Sequence, residues 1–490
     1  MKKKEALTGI IGKDCVLDTK EELDAFSRDS SFANPIKPRF IVKPRNTDAV
    51  QKLVKWANET GTPLIPVSSG APHFRGDTVP SSGGAIIVDL SGMKKILRID
   101  HENRIAIVEP GITFNDLIPE LEQKGLRLNM PLLPRNTKSL VGSLLEREPV
   151  TMPQYHWDLT DPLACTEIIY GNGDLFRTGS AAGPGDLEEQ WEVGAAQNEA
   201  SGPVQADFSR IIQGAQGTMG IVTWASIRCE HLPVLEEPFF IASSKLDSLL
   251  ELCHHLINGR LVDDCLILNS TNLAHILEKE GSPEYETIRT SLPQWVLFYT
   301  ITGKKYFPEE KVKYQIEDSS KHARTLGLEP VRQLGDASAY ELLRILHGPV
   351  TAPHWKVRAK GSCYDIFFLS TSDRLSRLST ITKDLAVKND YPVPEMGIYI
   401  QPQVQGVSYH CEYTLFFDPD DPSETASIRE LSMTCFDPLA NGGAFFSRPY
   451  GPWAEFAYRR DTQTTIGLRK LKNIFDPNNV MNPGKLCFYT

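Results

Sequence analysis

Two glycine-bearing turns constrain this chain most: Pro66-Val-Ser-Ser-Gly-Ala-Pro-His-Phe-Arg-Gly76 and Gly214-Ala-Gln-Gly-Thr-Met-Gly220. The first follows a strand-like Thr62-Pro-Leu-Ile-Pro66, and its glycines at 70 and 76 let backbone N–H groups turn inward around a phosphate. The second sets three glycines just before Ile221-Val222, so a close backbone approach hands over to a strand. Neither ends in the Gly-Lys-Ser/Thr of a Walker loop, and neither is a GxGxxG opening a helix. Each alone could be an ordinary tight turn. Together they could hold two parts of one extended cofactor.

A chain of 490 residues can bury a large core and is expected to form two domains. Its 41% hydrophobic and 23% charged residues are those of a soluble globular protein. The net charge of −10 argues against a nucleic-acid partner, and Lys2-Lys-Lys4 reads as a solvated terminus. No apolar run reaches the ~18 residues of a membrane span, and no apolar signal core follows the lysines. Nine scattered cysteines include no CxxC pair. Reduced thiols and a cytoplasmic location are the expectation.

The chain reads as α+β layers. Thr47–Asn58 is expected to be helical, with Thr47 at the cap and apolar residues at 50, 53, 54 and 57. A second helix is expected from Asn115 to Lys124, ended by Gly125. Ala85–Leu90 and Ile105–Val108 have the β-branched richness of buried strands. After Leu232-Pro233 a second α/β unit is expected. Its strands are placed at 239–243, 295–302, 398–400 and 413–417, and its helices at 246–258, 308–326 and 423–436. Gly183–Val204, acidic and aperiodic, reads as a surface excursion or lid.

The order of several motifs carries more than any one of them. After the first loop come Ile87-Val-Asp-Leu-Ser-Gly-Met-Lys94, Val141-Gly-Ser143, Gln154-Tyr-His-Trp157, Gly171-Asn-Gly-Asp-Leu-Phe-Arg-Thr-Gly179, the second glycine cluster, and a closing Phe475-Asp-Pro-Asn-Asn-Val-Met-Asn-Pro-Gly-Lys485. This series resembles the FAD-linked oxidases and dehydrogenases of the vanillyl-alcohol oxidase and p-cresol methylhydroxylase family, over most of residues 40–232 and 440–490. The resemblance implies a two-part FAD-binding domain at 1–232 with its core at about 36–232, an α/β cap over the substrate at 233–440, and a C-terminal segment at 441–490 returning to the FAD domain. It further implies FAD, a small-molecule substrate, an electron acceptor (oxygen or a redox protein) and a possible homodimer.

For the cofactor, the candidates lie within 66–76 (Pro66, Ser68, Ser69, Gly70, Ala71, Pro72, His73 and Gly76), 137–143 (Thr137, Val141, Gly142, Ser143) and 214–222 (Gly214, Gly217, Gly220, Ile221, Val222). The resemblance adds His156, Arg448, Asn482 and Lys485. For catalysis the candidates are Arg448, His410, Tyr155, His156 and Tyr450. Arg448 stands where the family carries a Tyr-Arg pair, but Ser447 precedes it. Tyr450 could substitute if a strand turns 448 and 450 to one face. Tyr155-His156-Trp157 matches an Asp-His-Trp segment of the family except for its first residue. Tyrosine, with a pKa of about 10, is a poor base at neutral pH but a fair proton donor. His410 is a structural residue, a substrate base or a covalent anchor for the flavin, and His73 is a further attachment candidate. No His, Cys or carboxylate spacing points to a metal. Adjacent His254 and His255 diverge on a helix, and His347 and His354 lack partner ligands.

Three readings follow: an FAD enzyme oxidising an aromatic alcohol, phenol or related compound; an FAD-dependent 2-hydroxy-acid dehydrogenase using Arg448 or Arg358 for the carboxylate; and a non-catalytic flavin-fold subunit.

Overall fold

The computed structural model describes residues 2–153, 162–202, 208–277, 285–350 and 353–488. Three sheets organise it. The first is a four-stranded sheet in the order 16–17, 40–42, 86–89 and 64–67, whose last three strands run parallel. The helix Thr47–Thr60 makes the crossover, burying Val50, Leu53, Val54 and Ala57. Its cap is Asn46 rather than Thr47: the Asn46 side chain accepts from the Ala49 N–H, and Thr47 already lies inside the first turn.

A five-stranded antiparallel sheet follows, in the order 96–100, 105–108, 220–228, 163–170 and 175–177. The helix Phe114–Gln123 packs beside it, opened by a Thr113–Asp116 capping box and followed by Gly125 at φ 70. The segment expected as a lid contains a short helix, Leu187–Glu192. Leu187 and Trp191 pack on Ile105, Ile107 and Trp224 of this sheet, so the described part of 183–204 is a covering layer.

The third sheet is antiparallel and six-stranded, in the order 235–243, 295–303, 265–269, 397–403, 408–417 and 362–370. Its last-numbered strand starts at Ser408 rather than 413, so His410 lies within it. Tyr409, Cys411 and Tyr413 point into the larger apolar core, leaving 410, 412 and 414 for the other face. Helices at 246–258, 308–325, 372–388 and 422–442 accompany this sheet.

The tail comes back to the first sheet. Leu64 N–H donates to Val480 O, Asn482 N–H donates to Leu64 O, and Met481 bridges to Leu64 in parallel. Buried Asp476 fixes this return by accepting from Lys472 at 2.5 Å and from the Val480 and Met481 N–H groups. Among the described residues no helix is long and apolar enough to cross a membrane.

Candidate functional site

The two glycine turns and the third sheet enclose one deep cavity, with about 1760 Å³ of empty space counting its open mouth. Pro66, Ser68, Ser69 and His73 line it from the first loop. Val141 and Gly142 line it from the helix Leu140–Leu145, and Gly214, Gly217, Gly220, Ile221 and Val222 from the second turn. The turns touch: a Cβ on Gly217, at φ 69, would stand 2.5 Å from Pro66 Cγ. One on Gly142 would stand 3.1 Å from Ser68 Oγ. The glycines therefore let three backbone segments close around one space.

Other expected cofactor residues build the cradle from behind. Gly70 N–H donates to Thr137 O, and Thr137 Oγ1 donates to Ala71 O, so Thr137, Gly70, Ala71 and the adjoining Pro72 form the loop's support. Gly76 N–H is held by Asp29. Ser143 donates to Glu148. Asn482 and Lys485 grip the loops: Asn482 Nδ2 donates to Asp77 O and Gln216 O, and Lys485 Nζ donates to Gly76 O and Val79 O. These contacts tie both turns to the C-terminal tail, and Asn482 Oδ1 is left buried without a partner among the described residues.

Opposite the cradle, strand register sets Phe367, Glu412 and Tyr399 side by side across three strands. Arg448 Cζ lies 4.8 Å from the Phe367 ring centre, and Arg75 Cζ lies 4.5 Å from it and 5.2 Å from that of Tyr450. Arg448 and Tyr450 do share a face of the cavity, but no strand puts them there. Residues 446–450 form a bend after a single bridge between Phe445 and Leu369. Tyr155 and His156 lie outside the described residues.

Two buried lysines each hold two carboxylates. Lys138 Nζ is 2.6 Å from Glu146 and 3.3 Å from Glu148. Burial opposes ionisation of Glu148, but Lys138 and Ser143 prevail and pull its pKa down to about 2. Burial raises that of Glu146. Lys356 Nζ is 2.6 Å from Glu412 and 2.8 Å from Asp365. Glu412 stays well below the carboxylate range despite burial, because Lys356 and His410 face it. His410 Nε2 is 3.6 Å from Glu412, and burial keeps the imidazole neutral by lowering its pKa. His410 faces a smaller cavity shared with Gln403, Ser447 and Arg448. Burial, with Arg135 and Lys138, takes His73 to about 3; burial and Lys356 take His354 to about 3.

Arg75, Lys138, Glu146, Glu148, Lys356, Asp365 and Glu412 line the cavity but were not among the sequence candidates. Arg75 stood inside the quoted loop. Lys356 sits two residues before Arg358, whose Nε instead donates to Pro353 O. Among the described residues, no group of three or more His, Cys, Asp or Glu side chains is placed to hold a metal ion.

Residues 38–179 match the signature described as FAD binding domain. Over 459 residues the chain is 30% identical to the mitochondrial D-lactate dehydrogenase [cytochrome] of Arabidopsis thaliana, covering 92% of this chain and 73% of that protein. The chain belongs to the p-cresol-methylhydroxylase-type family of FAD-linked oxidoreductases. It is also 22% identical to the glycolate oxidase subunit GlcD of Bacillus subtilis (strain 168), covering 99% of this chain and 96% of that one. The crystal structure of p-cresol methylhydroxylase with substrate bound has the same fold: TM-score 0.81, 18% identity, 100% of this chain and 96% of that chain. FAD is the cofactor, and the protein is an FAD-dependent oxidoreductase. The cavity closed by Gly142 and Gly217, where added Cβ atoms would crowd Ser68 and Pro66, fits such a group.

Proposed function

We propose that this oxidoreductase takes hydride from a small organic substrate, an aromatic alcohol, phenol or related compound, in the cavity between the glycine cradle and the six-stranded sheet. The observation that carries this reading is the cation pair of buried Arg448 and half-buried Arg75, both on Phe367 with Tyr450 beside them. As the substrate hydroxyl gives up its proton its oxygen gains negative charge, and a buried cation beside it stabilises that charge so that the electron pair can expel hydride from carbon. Bound FAD supplies the hydride acceptor. Pro66, Gly142 and Gly217 hold it, while Asn482 and Lys485 keep the loop carbonyls turned away from it. Tyr399 and Trp355 wall the substrate space. Glu412, kept ionised by Lys356, is too weak a base to take the substrate proton and serves to fix Lys356. His156 is proposed to take that proton, with Tyr155 as a proton donor or hydrogen-bond partner.

The D-lactate dehydrogenase and glycolate oxidase relatives favour a second reading, oxidation of a 2-hydroxy acid. Anaerobic mixing of the yellow holoenzyme with phenols, benzylic alcohols and 2-hydroxy acids tests both. Bleaching by the aromatic set alone supports the first reading, and bleaching only by hydroxy acids replaces it with the second.

A further inference from the structure

Five cations line the cavity and are not treated alike: Lys138, Lys356 and Arg448 are buried, and Arg75 and Arg135 are half-buried. Lys138 and Lys356 each have two carboxylates within ion-pair distance. Arg75 has no hydrogen bond or ion pair among the described residues, only the faces of Phe367 and Tyr450. Arg448 donates one hydrogen bond, from Nη1 to Glu146 O at 3.1 Å, and has no carboxylate within ion-pair distance among the described residues. Among the described residues the Arg135 side chain donates to Gly70 O alone, on the cradle side. The neighbouring acids are engaged elsewhere: Asp365 with Lys356 and Thr414, Glu148 with Lys138 and Ser143. Two guanidinium groups on one aromatic ring repel each other, and burying Arg448 without a paired carboxylate is costly. Arg75 also lies where the main cavity meets a second chamber walled by Phe32, Tyr364, Phe446 and Trp453.

We propose that Arg75, together with Arg448, forms a receptor for a substrate carboxylate, so that the preferred substrate is an aromatic compound bearing a carboxylate. A planar guanidinium offers two parallel N–H donors, which match the two oxygens of a carboxylate better than the single oxygen of a phenolate. Contact with the Phe367 and Tyr450 rings restrains the Arg75 side chain beforehand, so less side-chain freedom is lost on binding. The lysines cannot serve, since each is already neutralised. This inference rests on the reading of the cavity as the substrate site, and it makes Arg75 the residue that selects among substrates.

Sodium benzoate and its neutral counterpart benzamide, titrated into the holoenzyme by calorimetry and by the shift in the flavin absorption band, test it. Benzoate is expected to bind at least ~10-fold tighter than benzamide, the scale of a charge-assisted hydrogen bond. Arg75→Gln is expected to weaken benzoate roughly 10- to 100-fold, leaving benzamide affinity and FAD content unchanged. Equal affinity for the two probes, or benzoate binding untouched by Arg75→Gln, overturns the proposal. Should Arg75→Gln fail to hold FAD, Arg75→Lys decides. It keeps the charge without the fork, and full benzoate affinity in it overturns the bidentate receptor. Phenols that bleach the flavin while benzoate binds no tighter than benzamide would leave the aromatic reading standing while removing this one. Benzoate bound through Arg75 with no bleaching by phenols or alcohols would do the reverse.

Discussion

Replacing Arg448 by alanine removes a buried charge beside Phe367 and one hydrogen bond to Glu146 O, and leaves the two glycine turns in place. Losing an oriented charge of this kind costs ~10²-fold or more in rate, whereas losing uniform binding mainly raises KM. Arg448→Ala is therefore expected to keep its FAD but to slow anaerobic flavin reduction at saturating substrate by about that factor. An unchanged rate in stopped flow would remove Arg448 from the chemistry. Arg448 was legible because it stands in the Phe446–Tyr450 motif. Arg75 and Glu412 were not, because their importance lies in what their neighbours already hold, and those neighbours come from distant strands. Buried histidines also leave a mark on pH behaviour. Burial lowers His73 and His354 to about 3 and His275 to about 4. Between those values and the unfolded value of about 6.5, the unfolded chain binds protons the native chain does not, so stability falls as pH falls. His275, stacked between Tyr285 and Phe416, gives the cleanest test. His275→Phe should flatten the drop in urea stability between pH 6 and 5 by at most about 1.4 kcal/mol per pH unit.

At the scale of elements, the turns depend on glycine in different ways. Gly217 combines φ 69 with a Cβ position 2.5 Å from Pro66 Cγ, so both its backbone and its lack of a side chain are needed. Gly217→Val is expected to push the second turn away from the first. It should lower FAD occupancy and cost more than about 1 kcal/mol of stability. Absorbance of flavin per mole of purified protein checks the first effect, and wild-type occupancy would sink it. Gly214 makes the contrast: it has positive φ but open space around its Cβ position. Regular elements were legible where side-chain periodicity is strong. The helix Thr47–Thr60 buries the four positions its sequence marked. The strand Ser408–Phe417 was read five residues short, because Ser408, His410 and Glu412 look like loop polarity in sequence. In the fold, those residues form the polar face of a strand whose other face is core. The bend at 446–450 could not be told from a strand, since its geometry comes from the Phe445–Leu369 bridge.

Across the whole molecule, the apolar cores divide around the cavity. One large core is built from residues 239–453, and another from 106–229 together with Leu486, Cys487 and Phe488. The main cavity is lined from both sides, by the cradle at 66–78 and 212–222 and by Lys356, Tyr399 and Glu412. A cofactor there is a shared contact between two separately cored halves, in addition to the tail that runs back to Leu64. Ligand that binds only the folded state adds stability of RT ln(1 + [L]/Kd), about 2.7 kcal/mol at a hundredfold excess over Kd. The holoenzyme is therefore expected to melt in one calorimetric transition whose midpoint rises with added FAD. The apoprotein is expected to melt in two transitions, with the cradle half first. Lys485→Ala removes the clamp on the Gly76 and Val79 carbonyls, both of them in the cradle half. It should lower the first apoprotein transition and weaken FAD binding while leaving the second transition in place. A variant whose two transitions fall together would show instead that the halves unfold as one unit, with the tail acting on both.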